Sequence, residues 1–126
     1  QAGHACLQDG PKGLHLCIVI AGPQGFEGYA QPPQIIPMPV TTLYPHGRHD
    51  PACILTKGDH PFIQHDSWVY YRETRIDPVV EAERFVRQAM WKPHEACSKE
   101  LLARVLAGAC MSRLIKREFC RLLGWL

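Results

Sequence analysis

The sequence is poor in the features that announce a function by composition. No apolar run approaches the roughly 20 residues a membrane-crossing helix needs, and residues 1–13 are polar and Gly-rich, unlike a secretory signal. Charge of one sign is not in excess: 14 Lys and Arg stand against 12 Asp and Glu, giving a net charge of +2. That excludes a protein held to nucleic acid by bulk basicity alone. There is no Cys-x-x-Cys pair, no His-Glu-x-x-His and no zinc-deaminase signature, so no metal site is expected. The phosphate-cradling glycine loops and the nucleophile elbow are absent as well, and no cofactor is implied. No repeat or low-complexity tract interrupts the chain.

What is present is an ordinary globular composition, 46% hydrophobic and 21% charged over 126 residues. That length suits one domain with one core. Six cysteines occur, at 6, 17, 53, 97, 110 and 120. Cys97, Cys110 and Cys120 fall in helical patterns among Leu, Val and Ala, where free cysteine behaves as a small hydrophobe. Reduced thiols and a cytoplasmic setting are the expectation.

The apolar residues then divide the chain. Residues 14–21, bounded by Gly and Pro, read as a buried strand. Residues 22–34 form a Gly- and Pro-rich loop with Phe26 and Tyr29 as anchors. Ile35 to Leu43 reads as a second strand, and Pro37 and Pro39 would leave one of its sides without donors, predicting an edge or a bulge. Residues 44–51 are a polar turn, Cys53 to Leu55 a short strand, and Trp68 to Ile76 a longer one. On that last strand alternation would place Trp68, Tyr70, Arg72 and Thr74 on one side and Val69, Tyr71, Glu73 and Arg75 on the other.

The texture changes at Asp77-Pro78, which predicts an N-cap and first helical position. Val79, Ala82, Val86 and Met90 follow at helical spacing, with Pro93 as the stop. Ser98 predicts the cap of a helix striped by Leu101, Val105 and Ala109, and Gly124 the end of another carrying Phe119 and Leu122. Strands first and helices after is an α+β order. The expected architecture is one domain over 1–126, with a small β-barrel at 14–77 and two to three helices in an extension at 78–126.

Three polar groupings could carry chemistry. The loop His46-Gly47-Arg48-His49-Asp50 offers imidazoles that move protons near neutral pH and a guanidinium that braces a phosphate. The turn from Gly58 to Ser67 contains His60, His65 and Asp66, residues that also serve ordinary turns. The stretch with Tyr70, Tyr71, Arg72 and Arg75 combines aromatic faces with positive charge, the pairing single-stranded nucleic acid requires. Basic residues at Arg104, Arg113, Lys116, Arg117 and Arg121 read as a solvated helix face.

His15 to Ala21, then Ile36-Pro37-Met38-Pro39-Val40-Thr41-Thr42, then Trp68 to Asp77 together resemble the PemK/MazF-like toxin family. The resemblance covers three short pieces within residues 14–77. It implies an SH3-like barrel with a C-terminal helix, metal-independent endoribonuclease activity on RNA, a homodimer and a cognate antitoxin. It also implies that Thr41 or Thr42 supplies a hydroxyl at a strand end, with Arg75 and Asp77 in the closing motif. Where that family carries an arginine before its first apolar strand, Gly13-Leu14-His15 stands here. The site expected on these grounds joins His46, Arg48, His49 and Thr42 for catalysis with Tyr70, Tyr71, Arg72 and Arg75 for holding the strand. The alternative expectation is a non-catalytic barrel that binds a protein or small ligand, encoded on a mobile genetic element.

Overall fold

The computed structural model describes residues 2–10, 13–26, 28 and 33–124. Seven strands and three helices appear among them: β1 (Ala5–Gly10), β2 (Gly13–Gln24), β3 (Gln34–Thr42), β4 (Ile54–Leu55), β5 (Ser67–Val69), β6 (Asp77–Pro78) and β7 (Trp91–His94), with α1 (Val79–Arg87), α2 (Lys99–Met111) and α3 (Arg117–Leu122). The fold is α+β. All pairings are antiparallel, in the order β4-β5-β3-β2-β1-β7, with β6 against the start of β3 and β5 against its end. The expected barrel is not closed: β4 and β7 end the hydrogen-bonded path, and β4 and β5 are too short to curl round to the far edge. No helix of the described residues is long and apolar enough to cross a membrane.

β2 and β3 form the centre, and both are buried on two faces, which is why their sequences are nearly continuous apolar runs. Leu16, Ile18, Ile36, Met38 and Val40 pack into a core shared with Leu101, Val105 and Ala109 of α2 and Phe119 of α3. Ser98 caps α2 as its sequence predicts, its hydroxyl oxygen accepting from the Leu101 N–H at 3.0 Å. Gly124 ends α3 at φ +80°, a conformation that suits glycine at a helix C-terminus. Phe26 is buried in the core, whereas Tyr29 lies outside the described residues.

β3 corrects the edge-strand expectation. It is central, and its prolines are tolerated because of what lies beside them. The carbonyls of Pro39 and Pro37 accept from Tyr70 (2.9 Å) and Arg75 (3.2 Å), so their missing N–H groups face that same side. There the neighbouring chain leaves the sheet, and only carbonyls are required. The predicted strand at 68–76 is therefore broken after Val69 by a 3₁₀ turn at Tyr71–Glu73. Tyr71 keeps the side that alternation gives it with Val69 and enters the core fully buried, where its hydroxyl donates to the Val105 carbonyl at 2.7 Å. Alternation is lost only beyond it, where Arg72 and Glu73 are both exposed. The bulges anticipated for the pairing fall on β2, as two register shifts.

Two further expectations change at the C-terminal side. Asp77 does not cap α1: the N-cap is Pro78, without a side-chain bond, and the Asp77 carboxylate pairs with Arg75 at 3.2 Å. Pro93 does not stop that helix either, since α1 ends at Arg87 and residues 91–94 become β7. β7 pairs only with β1, placing Pro93 on an edge strand where a missing donor is harmless. The segment after residue 78 thus contributes a strand to the sheet as well as helices.

Candidate functional site at the end of strand β3

β3 and β5 meet in the register Thr41 to Trp68 and Thr42 to Ser67. Beside this junction is a cleft of about 370 Å³, lined by Thr41, Thr42, Ser67, Tyr44, His15 and His65, with apolar walls from Leu14, Leu16, Phe62 and Ile63. No carboxylate, lysine or arginine lines it among the described residues. The cleft offers hydroxyls and two imidazoles on an apolar base.

The turn from Asp59 to Asp66 builds one wall. His60 is its anchor, only 2% exposed. Its Nδ1 accepts from the Phe62 N–H at 3.1 Å while Nε2 lies 2.6 Å from the Glu95 carbonyl, so the proton sits on Nε2. With both nitrogens committed and the His94 ring centroid 5.1 Å away, His60 is structural. Asp59 fastens the turn's start, accepting from the Thr56 N–H at 2.8 Å and pairing with Arg104 at 2.7 Å. Partial burial pushes its carboxyl up, but these two partners outweigh it and hold the group below the ordinary carboxylate range. Ser67 is buried and donates to the His65 carbonyl at 2.8 Å, a turn-closing role.

Thr41 and Thr42 therefore share a cleft with His15 and His65, not with His46, Arg48 or His49. Those three are exposed on the 44–50 loop. His49 lines a separate cavity of about 500 Å³ with Asp50, Met111 and Arg113, and its ring centroid is 6.3 Å from that of Trp68. Asp50 is buried and structural: it accepts from the Ala52 N–H at 3.0 Å and from the Ser112 hydroxyl.

The expected strand-holding face is dispersed too. Tyr71 is in the core, and Tyr70 is half-buried with its ring 4.7 Å from that of Trp68. Arg72 is exposed on the 3₁₀ turn. Arg75 lies elsewhere, donating to Gln8 Oε1 at 3.0 Å and to Asp77, with its guanidinium 5.7 Å from the Trp91 ring centre. Arg75 lines none of the cleft holding Thr42.

Sequence reasoning overlooked His15 and Tyr44 as site residues. The signal for His15 was a polar residue inside an otherwise apolar strand, two positions before Cys17, which pairs with Pro39 two positions before Thr41. No group of three or more His, Cys, Asp or Glu side chains is arranged to hold a metal ion among the described residues. All six cysteines are free; Cys17 is buried enough to push its thiol up to about 12, and burial pushes Cys97 up to about 11. Comparison with protein-family models, curated proteins and solved structures finds no match to the chain.

Proposed function

We propose that this chain acts on RNA, with the Thr41/Thr42 cleft as its phosphodiester-handling site. The observation that carries the reading is the meeting of His15 and His65 with the hydroxyls of Thr41 and Thr42 in one cleft. Cleavage of RNA without a metal needs a base for the ribose 2′-hydroxyl proton and an acid for the departing 5′-oxygen. Two imidazoles flanking one phosphate supply both, and threonine hydroxyls donate to its non-bridging oxygens as negative charge builds. His15 then occupies the role that an arginine takes in the PemK/MazF-like family. An SH3-like relationship, a second copy and an antitoxin partner belong to the same proposal and rest on the resemblance.

The absence of Lys and Arg from the cleft lining favours a second reading, in which the cleft binds RNA without cutting it. One assay separates the two. Purified protein is incubated with a mixed-sequence single-stranded RNA, with and without chelator, beside His15→Ala, His65→Ala and His49→Ala. Chelator-resistant cleavage, reduced about 100-fold or more by either cleft substitution and untouched by His49→Ala, is the expected outcome. Binding without cleavage supports the second reading. Neither binding nor cleavage, or cleavage lost only with His49→Ala, refutes the assignment of this cleft.

A further inference from the structure

α1 carries Val79, Ala82 and Val86 at a spacing that should seat against a core, yet no residue of the helix is buried. The reason lies beneath it. A solvent-open groove of about 480 Å³ runs between that apolar stripe and the sheet, lined on the sheet side by Val19, Ile35 and Pro37. This volume falls within the ~300–1,000 Å³ typical of small-molecule sites. The groove is open to solvent and its lining is mostly apolar, so an apolar chain lying in it removes that surface from water.

The polar groups are confined to the lining near the last turn of α1 and the start of β1. Arg87 and His4 line the cavity, and neither side chain has a hydrogen bond or ion pair among the described residues. Glu83 lies one turn before Arg87 but makes no ion pair with it, so the guanidinium fork keeps its donors free. We propose that this cavity binds a small amphipathic carboxylic acid, its apolar chain under α1 and its carboxylate on Arg87 with His4 beside it. The site is separate from the cleft at Thr42, sharing no lining residue with it, and stands whether or not the chain acts on RNA.

Octanoate tests the proposal, with octanol as its uncharged counterpart, each titrated calorimetrically into the full chain. One saturable octanoate site is expected. Ala82→Phe, which fills the cavity, should weaken binding at least tenfold while leaving the thermal midpoint equal or higher; Val79→Met serves the same purpose if the first variant misfolds. Arg87→Gln should weaken octanoate about tenfold and leave octanol unchanged, as loss of a charge-assisted bond alone would. His15→Ala should leave octanoate binding intact, which keeps this result distinct from the RNA assay. The proposal is overturned by a lack of saturable binding, by full affinity in the cavity-filled variants, or by equal loss of both ligands in Arg87→Gln. A concentration-dependent dimer broken by Ala82→Phe and insensitive to octanoate would also overturn it, in favour of a protein occupant.

Discussion

Substituting Gly108 by alanine sets two well-understood effects against each other. In an open helix the change is favourable, because glycine is worse than alanine in a helix interior by about 0.5–1 kcal/mol. Gly108 is not in the open. A methyl carbon there would lie 2.4 Å from the Tyr71 hydroxyl, 2.8 Å from Cys53 Cβ and 2.9 Å from the Ala52 carbonyl oxygen. Two of these neighbours are backbone or nearly so, in a segment pinned by Asp50. The third is the hydroxyl that donates to Val105. Relief requires either moving α2 off the sheet, which as overpacking costs about 1–3 kcal/mol, or freeing a buried hydroxyl, which costs about 1–3 kcal/mol. Net of the propensity gain, Gly108→Ala should destabilise the fold by about 1 kcal/mol, and by no more than about 2.5 kcal/mol.

Chemical unfolding followed by circular dichroism measures this directly, with the midpoint falling and the slope unchanged. Ala107→Gly, one residue away and exposed, is the control: propensity alone should lower its stability by about 0.5–1 kcal/mol. Adding Tyr71→Phe to Gly108→Ala should be less damaging than the sum of the two, since the hydroxyl is the closest obstruction. If Gly108→Ala proves as stable as the parent chain, α2 is not seated on Tyr71 and Cys53 as described, and the account of the core's edge fails.

His60→Ala should destabilise by about 2–4 kcal/mol, because it empties a buried site and orphans the Phe62 N–H and the Glu95 carbonyl; a change below about 0.5 kcal/mol would show that the turn is held otherwise. For Cys17, burial raises the folded thiol from its ordinary 9.0 to about 12. In the unfolded chain the thiol ionises first, so the unfolded state binds fewer protons between those values and stability falls as pH rises through that window. Below pH 9 the contribution is fully present. Denaturation midpoints measured from pH 8 to 11 should decline in the parent and decline less in Cys17→Ala, and parallel curves would refute the burial of this thiol.

Much of the architecture is legible in local patterns. The apolar run at 14–21 and the run from Ile35 onward are the two central strands, Ser98 is a cap and Gly124 a helix end, because each depends on residues a few positions apart. Patterns that needed a distant partner misled. Trp68 to Ile76 has strand composition throughout, yet Tyr71 is pulled from the sheet by a carbonyl 34 residues away. Residues 91–94 hold a proline and follow a helical stripe, but the free side of β1 recruits them as a strand. Among the residues of the candidate cleft, Thr41 and Thr42 were singled out by the family resemblance alone, while the grouping of histidines beside them was not anticipated.

What the linear chain determined by itself was the mixed α+β class, the two strands with both faces apolar, and the stock of imidazoles, hydroxyls and guanidinium groups. Those follow from side-chain chemistry and short-range periodicity. Which of these groups meet was decided only by tertiary structure. The register of β2 and β5 on β3 brings His15 and the 60s turn to Thr42, leaves His46 and His49 on an outer loop, and turns Arg75 to Asp77. Strand register is a long-range property: sliding one strand by a single residue moves every side chain to the opposite face, and nothing within five neighbouring residues specifies it.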